Sequence, residues 1–150
     1  MKSIALDDAD RVILTELVRN GRASYTHLGQ IAGLSPHAVA PRVRRLVDAG
    51  IISGFTATLD YGAVGRGLDA LVDIRLLSTT SPETFELAVS TLPSALELSF
   101  LTGRFDYMLR AACRDADDLD HTVRALRKAG AAVTETRIMM RTKTYRQPVR

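Results

Sequence analysis

Apolar residues recur at helical spacing through the first third of the chain and alternate with polar ones over much of the rest, so two architectures follow one another. Asp7 is placed to cap a first helix, with Asp8 and Asp10 in its opening turn, where carboxylates interact favourably with the helix dipole. The buried stripe of this helix is Val12 or Ile13, Leu14, Leu17 and Val18, and Asn20-Gly21 ends it. Ser24 caps a second helix carrying Leu28, Ile31 and Ala32; Gly33 stops it and Leu34 plugs the turn. Ser35 before Pro36 repeats the start signal, since proline at the first helical position lacks only an N–H that would have had no partner. In this third helix Val39, Val43, Leu46 and Val47 gather on one side. His37, Ala38, Pro41, Arg44 and Arg45 point away, and Arg42 lies on the flank. Pro41 is out of place in a helix interior, where it removes one hydrogen bond and costs roughly 3 kcal/mol. The helix therefore either starts late or is kinked there.

From Ile51 the period changes. Ile51, Ile52, Phe55, Ala57 and Leu59, set among serine and threonines, predict an extended segment, a small wing or hairpin arm. DYGAVGRGLD, with Gly62, Gly65 and Gly67, reads as a hinge. A phosphate-cradling glycine loop is the sharper alternative, but such a loop must open a helix, and this one runs into the strand-like LDALVDIRLL. Beyond it, SPETFELAVSTL predicts a helix capped by Ser81, with Phe85, Ala88, Val89 and Leu92 inward. LELSFLTG and FDYMLRAACR are strands joined by a tight turn, DADDLDHTVRALRKAG is a helix with Leu119, Val123 and Leu126 inward, and AVTETRIMMRTKTYR is a last strand. The order βαββαβ is that of a ferredoxin-like unit, an antiparallel sheet with both helices on one face. The other face then needs a cover. Val72, Ile74 and Leu76 offer apolar side chains for it, so a two-fold dimer is expected. The fold class is α+β, with a helix-turn-helix domain over 1–54, an extended linker over 55–67 and a βαββαβ domain over 68–150.

Composition narrows the function without choosing it. An apolar fraction of 46% and a charged fraction of 25% suit a globular protein, and a net charge of +3 is a mild bias toward polyanions. Cys113 is the only cysteine, so neither an internal disulfide nor a four-thiolate zinc site can be assembled from one chain. It lies in an apolar run and reads as a buried, inert thiol. No run approaches the roughly 18 apolar residues of a membrane span, and MKSIALDDAD lacks a signal-peptide core, so a soluble cytoplasmic protein is expected.

Two helices across a short turn, the second with a buried stripe and a basic outer face, match a helix-turn-helix whose second helix enters the DNA major groove. The expected contacts are Ser35, His37 and Ala38 at its N-terminal end, which meets the bases. Arg44 and Arg45 are expected to reach base edges or phosphates, and Arg42 to position the DNA backbone or pair with a carboxylate. The alternative is a solvated basic face on an ordinary surface helix. A two-fold dimer would present two such helices about 34 to 36 Å apart or a multiple of it, which implies a pseudo-palindromic operator in double-stranded DNA.

The opening LDDADRVIL, the turn GLS, the RVRRL of the third helix, the exit GIISGF and the later TG-x-x-D together resemble the Lrp/AsnC family of feast-or-famine transcriptional regulators, over nearly the whole chain. The resemblance implies a sensing module that binds an amino acid or related metabolite where neighbouring modules meet, and a homodimer or larger closed assembly such as an octamer. The matching turn is Thr102-Gly103-Arg104-Phe105-Asp106. Gly103 would let the backbone approach a ligand, Asp106 would take an ammonium group, and Thr134 and Thr136 on the last strand would add hydroxyls. The alternative is that Gly103 serves only the hairpin turn and Asp106 only caps or pairs locally. Arg104 replaces the acidic residue often found there in the family, and Phe105 its usual tyrosine.

The rival classes are a small-molecule enzyme and a protein-partner module on the same scaffold. His27, His37 and His121 are scattered, and no serine or cysteine has a recognisable base partner. Asp115, Asp117, Asp118, Asp120 and His121 could suggest a metal site, but aspartates are favoured in the first turn of a helix anyway. No catalytic residue, cofactor or metal is expected.

Overall fold

Three helices open the chain, α1 (Asp8–Arg19), α2 (Tyr25–Ala32) and α3 (Pro36–Asp48), each begun by the cap its sequence announces. The computed structural model describes residues 4–149. Asp7 and Asp10 form a reciprocal capping box, Asp7 Oδ1 accepting from the Asp10 N–H at 2.8 Å and Asp10 Oδ2 from the Asp7 N–H at 3.3 Å. Ser24 and Ser35 cap α2 and α3 through the N–H groups of His27 and Ala38, and Gly33 ends α2 at φ 68°. Ile13, Leu28, Val39 and Val43 form the core, with Leu17, Ala23, Ala32, Leu34 and Ile52 around them. Val18, Ile31 and Val47, expected in the buried stripes, are exposed, and so is Val12, the alternative to Ile13, which is the one of the two that is buried. In so small a trihelical unit each helix buries only a narrow strip, and these four lie at its margins.

Pro41 neither delays nor splits α3, which is a single helical run from Pro36. Proline cannot donate to the carbonyl four residues back, that of His37, but His37 is exposed and water can serve that oxygen. The expected wing does not form as a strand: residues 53–60 have neither helix nor strand assigned.

The second unit, Leu59–Thr142, holds β1 (Leu68–Leu76), α4 (Pro82–Ser90), β2 (Ala95–Phe100), β3 (Tyr107–Cys113), α5 (Ala116–Lys128) and β4 (Ala131–Ile138). The sheet order is β2-β3-β1-β4, antiparallel throughout, with Val72 opposite Leu109 on one side and Thr136 on the other. Phe85 and Val89 of α4 and Leu126 of α5 close over Val72, Ile74, Tyr107, Leu109 and Ala111. Both helices therefore cover the same face. Val72 and Ile74, expected to be surplus on the open face, are the residues the helices bury, with Leu76 packed against them. By the pleat, Asp69, Leu71, Asp73 and Arg75 lie on the opposite face, where Arg137 Nη2 reaches Asp73 Oδ2 at 2.5 Å and Arg110 Nη2 reaches Asp69 Oδ2 at 3.5 Å. The open face is charged rather than apolar.

The last strand is shorter than its alternation predicts. β4 ends at Ile138, opposite Ala70, close to where β1 begins and stops supplying partners. The stretch from Lys143 belongs instead to the first unit, which otherwise runs to Thr58. There the Val149 N–H donates to Thr15 Oγ1 at 3.0 Å and Arg146 Nη1 to the Arg19 carbonyl at 2.8 Å. Cys113 is a free, buried thiol, its pKa raised first by burial. Among the described residues no helix is long and apolar enough to cross a membrane.

Candidate nucleic-acid interface and effector turn

The geometry of the helix pair depends on Gly29. A Cβ there would lie 2.5 Å from the Leu34 carbonyl oxygen, so the turn can fold back on α2 only over a residue without a side chain. That close approach sets where α3 begins. Ser35, His37 and Arg44 are exposed and Ala38 is half-buried. The Ser35 hydroxyl is already occupied as the cap of α3, accepting from Ala38 N at 3.2 Å.

The three arginines of α3 are not equivalent. Arg42 Nη1 donates to Asp7 Oδ2 at 2.6 Å and to Asp10 Oδ1 at 2.9 Å, the carboxylate pairing weighed for it as one alternative. Arg45 was expected to point free into solvent, but its Nη2 donates to Asp10 Oδ2 while its side chain stays 47% exposed. Only Arg44 has no ion-pair or hydrogen-bond partner among the described residues. The carboxylates at the N-terminus of α1 thus clamp α3 from the side. The Asp10 backbone N–H and then the Arg42 guanidinium hold the Asp7 carboxyl below the usual carboxylate range, and the bonds of Arg42 to the Asp7 and then the Asp10 carboxylate raise its own pKa.

Sequence reasoning took Asp10 for a residue serving the helix dipole, yet its side chain is wholly buried. The signal was present: Asp10 precedes Ile13 by three, Leu14 by four and Leu17 by seven, which puts it on the buried stripe of α1. A carboxylate there requires cationic partners. Gly29 gave no comparable signal, since the clash it avoids is with a backbone atom.

At the other candidate site, Thr102 and Gly103 lie on the exposed connection between β2 and β3, Gly103 at φ 113° with open space around it. Asp106 is engaged locally: its Oδ2 accepts from Leu76 N at 2.8 Å and its N–H donates to the Ile74 carbonyl at 2.8 Å. The Arg104 carbonyl accepts from Arg75 Nε at 2.9 Å, and the Arg104 guanidinium lies 5.2 Å from the Phe105 ring centroid. Thr134 is in register with Ile74, so it shares this end of the sheet; its hydroxyl accepts from Arg127 Nη2 at 3.2 Å. Thr136 stands one pleat further along, opposite Val72. The turn leaves backbone exposed at Gly103, but the side chains around it are largely committed to one another.

The acidic cluster on α5 is accounted for in the same way. Asp115 caps the helix through Asp118 N at 2.8 Å, and Asp118 pairs with Arg114, which holds its pKa down; His121 Nδ1 meets the Asp117 carbonyl at 2.8 Å.

Comparison with known proteins gives concordant matches to both units. Residues 6–47 match the AsnC-type helix-turn-helix domain and residues 69–149 the Lrp/AsnC ligand binding domain. The chain is 32% identical to the HTH-type transcriptional regulator LrpA of Mycobacterium tuberculosis over 138 residues, 92% of each chain. It is 37% identical to AldR of Mycolicibacterium smegmatis over 116 residues, 76% of this chain and 68% of that one. Among solved structures, a feast or famine regulatory protein from M. tuberculosis complexed with L-methionine superposes with a TM-score of 0.90 at 31% identity, covering 97% of this chain and 100% of that one. A transcriptional regulator from Neisseria meningitidis in complex with L-Met gives 0.87 at 29% identity, over 94% of each chain.

Proposed function

The chain is a DNA-binding transcriptional regulator of the Lrp/AsnC family, and from that premise we propose how its residues divide the work. α3 lies in the major groove of a pseudo-palindromic operator. Arg44 is the side chain that reads a base edge or grips a phosphate, and the exposed His37 and the Ser35–Ala38 turn meet the bases from the helix N-terminus. Arg42 and Arg45 set the tilt of α3 through Asp10 and offer their remaining N–H groups to the DNA backbone. The observation that carries this reading is the asymmetry among the three arginines: two are tied to Asp10, and one is unpaired on the outer face.

The protein acts as a homo-oligomer in the cytoplasm and responds by binding, not by turnover. Two such helices on a dimer match successive groove faces. The effector is an amino acid, taken near Gly103 with Thr102, Arg104 and Asp106 around it and Thr134 and Thr136 on the adjoining strand. Relatives crystallised with L-methionine favour this class. Because the turn is open and its carboxylate committed, the site is completed by a neighbouring subunit.

Selection of bound DNA from a random pool, followed by gel shift at rising salt, tests the first part. An enriched two-fold site whose affinity falls steeply with salt is expected, and Arg44→Ala should lose most of it. A shift indifferent to salt, or unchanged by Arg44→Ala, overturns the placement. Calorimetric titration with L-methionine and the other common amino acids tests the second part, and no heat with any of them overturns effector binding.

A further inference from the structure

The two flanks of α3 carry different charge. At about 100° per residue Arg42 and Arg44 stand roughly 200° apart around the helix, so with α3 in a major groove they face opposite phosphate walls. On the Arg44 flank the charge is unbalanced. On the other flank Arg42 and Arg45 meet the carboxylates of Asp7 and Asp10, and positive and negative charges cancel there.

The two carboxylates differ in what they need. Asp10 is buried, and a buried carboxylate requires its guanidinium partners. The Asp7 side chain is 52% exposed and has no such requirement. Capping does not require its charge either. Asp7 Oδ1 caps α1 by accepting from Asp10 N at 2.8 Å, while the neutral hydroxyls of Ser24 and Ser35 cap α2 and α3 through the N–H at the same spacing. Asp8 already places a negative charge in the first turn of α1 for the helix dipole. The contact for which the Asp7 charge matters is therefore the 2.6 Å bond that Oδ2 accepts from Arg42 Nη1. An exposed pair of this kind contributes little to folding. Its larger effect is on any second anion that approaches Arg42. A DNA phosphate seeks the same guanidinium donors as a carboxylate, and Asp7 both occupies one of them and repels the newcomer.

We propose that Asp7 is an electrostatic brake on DNA binding: its carboxylate takes the place of a backbone phosphate at Arg42 and withholds the charge of that guanidinium from the duplex. The inference rests on α3 facing the groove, as proposed above. The N–H groups left to Arg42 still reach the DNA backbone, but a guanidinium whose charge is already balanced displaces few counterions when it does so. Phosphates carry no sequence information, so the brake acts alike on the operator and on other DNA.

The test is gel shift of the full chain at several salt concentrations, on the selected operator and on a mixed-sequence duplex, with Asp7→Asn, Asp8→Asn, Arg42→Gln and the double variant of Asp7→Asn with Arg42→Gln. Asparagine caps helices as well as aspartate does, and circular dichroism checks that each variant is folded. Asp8→Asn changes the net charge equally, but Asp8 is exposed and bonded to neither Arg42 nor Arg45. Asp7→Asn should bind both duplexes more tightly at low salt. Its salt slope should be steeper by about 0.9 for each chain bound, which is about a threefold greater loss of affinity per chain between 50 and 200 mM salt. Asp8→Asn should keep the wild-type slope, and the double variant should bind no better than Arg42→Gln alone. An Asp7→Asn slope equal to wild type overturns the proposal. So does an equal steepening in Asp8→Asn, which would make the effect one of overall charge, or a gain that survives in the double variant, which would remove Arg42 from it. Arg44→Ala measured alongside separates the two readings. Weakened binding there with no change in Asp7→Asn overturns the brake and keeps the placement of Arg44. A steeper slope in Asp7→Asn with Arg44→Ala unaffected overturns the role of Arg44 and keeps the brake.

Discussion

Arg44→Ala and Arg45→Ala separate holding α3 in place from binding DNA with it. Asp10 is fully buried, and its carboxylate has three partners, Arg42, Arg45 and the Asp7 N–H. Arg45→Ala removes one of them, and water cannot readily replace it at a buried oxygen. A hydrogen bond to a charged group contributes about 1.5 to 3 kcal/mol. The Arg45 side chain is 47% exposed, so part of its attraction is screened, which favours the lower end, about 1.5 kcal/mol. That is roughly a tenfold rise in the opening of the first unit. Arg44→Ala touches no such pair and should change stability by no more than about 0.5 kcal/mol. The order reverses for DNA: Arg44→Ala loses about 1 to 3 kcal/mol if it reads guanine, or lowers the salt slope by about 0.9 if it meets one phosphate. Arg45→Ala loses less. Hydrogen exchange of the α1 and α3 amides in the full chain reports the first unit by itself, and gel shift at fixed salt reports the second quantity. Unchanged amide protection in Arg45→Ala, or loss of protection in Arg44→Ala, would refute the assignment of the Asp10 clamp.

Gly29→Ala should destabilise the first unit by about 1 to 3 kcal/mol, because its Cβ would meet the Leu34 carbonyl, a backbone atom that cannot swing aside; a thermal melt equal to wild type contradicts this. Gly130→Ala combines a φ of 115° with a Cβ placed inside the Thr80 side chain, and should cost the second unit about 2 kcal/mol or more. Part of that is recovered in Gly130→Ala with Thr80→Ala, and a double variant no better than the single one counts against the steric account. Burial and the 2.6 Å bond to Glu86 push the Tyr107 hydroxyl up from 10.0 to about 12. The unfolded chain releases this proton first, so its stabilisation is intact below pH 10 and is lost as pH rises toward 12. Urea midpoints across that interval should fall in the wild type and fall less in Tyr107→Phe; equal slopes would refute it.

Caps, turns and element order could be read along the chain because each depends on residues a few positions apart. Ser24, Ser35 and Ser81 each bond an N–H three residues on, and Gly33 needs only its own backbone to end α2. The resemblance carried by LDDADRVIL, RVRRL and TG-x-x-D reached further, to the family and its two-domain plan, because it draws on the whole chain at once. What alternation could not supply was which side of the sheet the helices take. Val72 and Ile74 read the same whether they face α4 and α5 or a partner, and packing alone decided in favour of the helices. Nor could local pattern pair Asp10 with Arg42 and Arg45 across separations of 32 and 35 residues. Periodicity tells a residue which stripe it occupies. Only the folded chain brings two stripes together, and the division of three neighbouring arginines into two braces and one free hand is made at that contact.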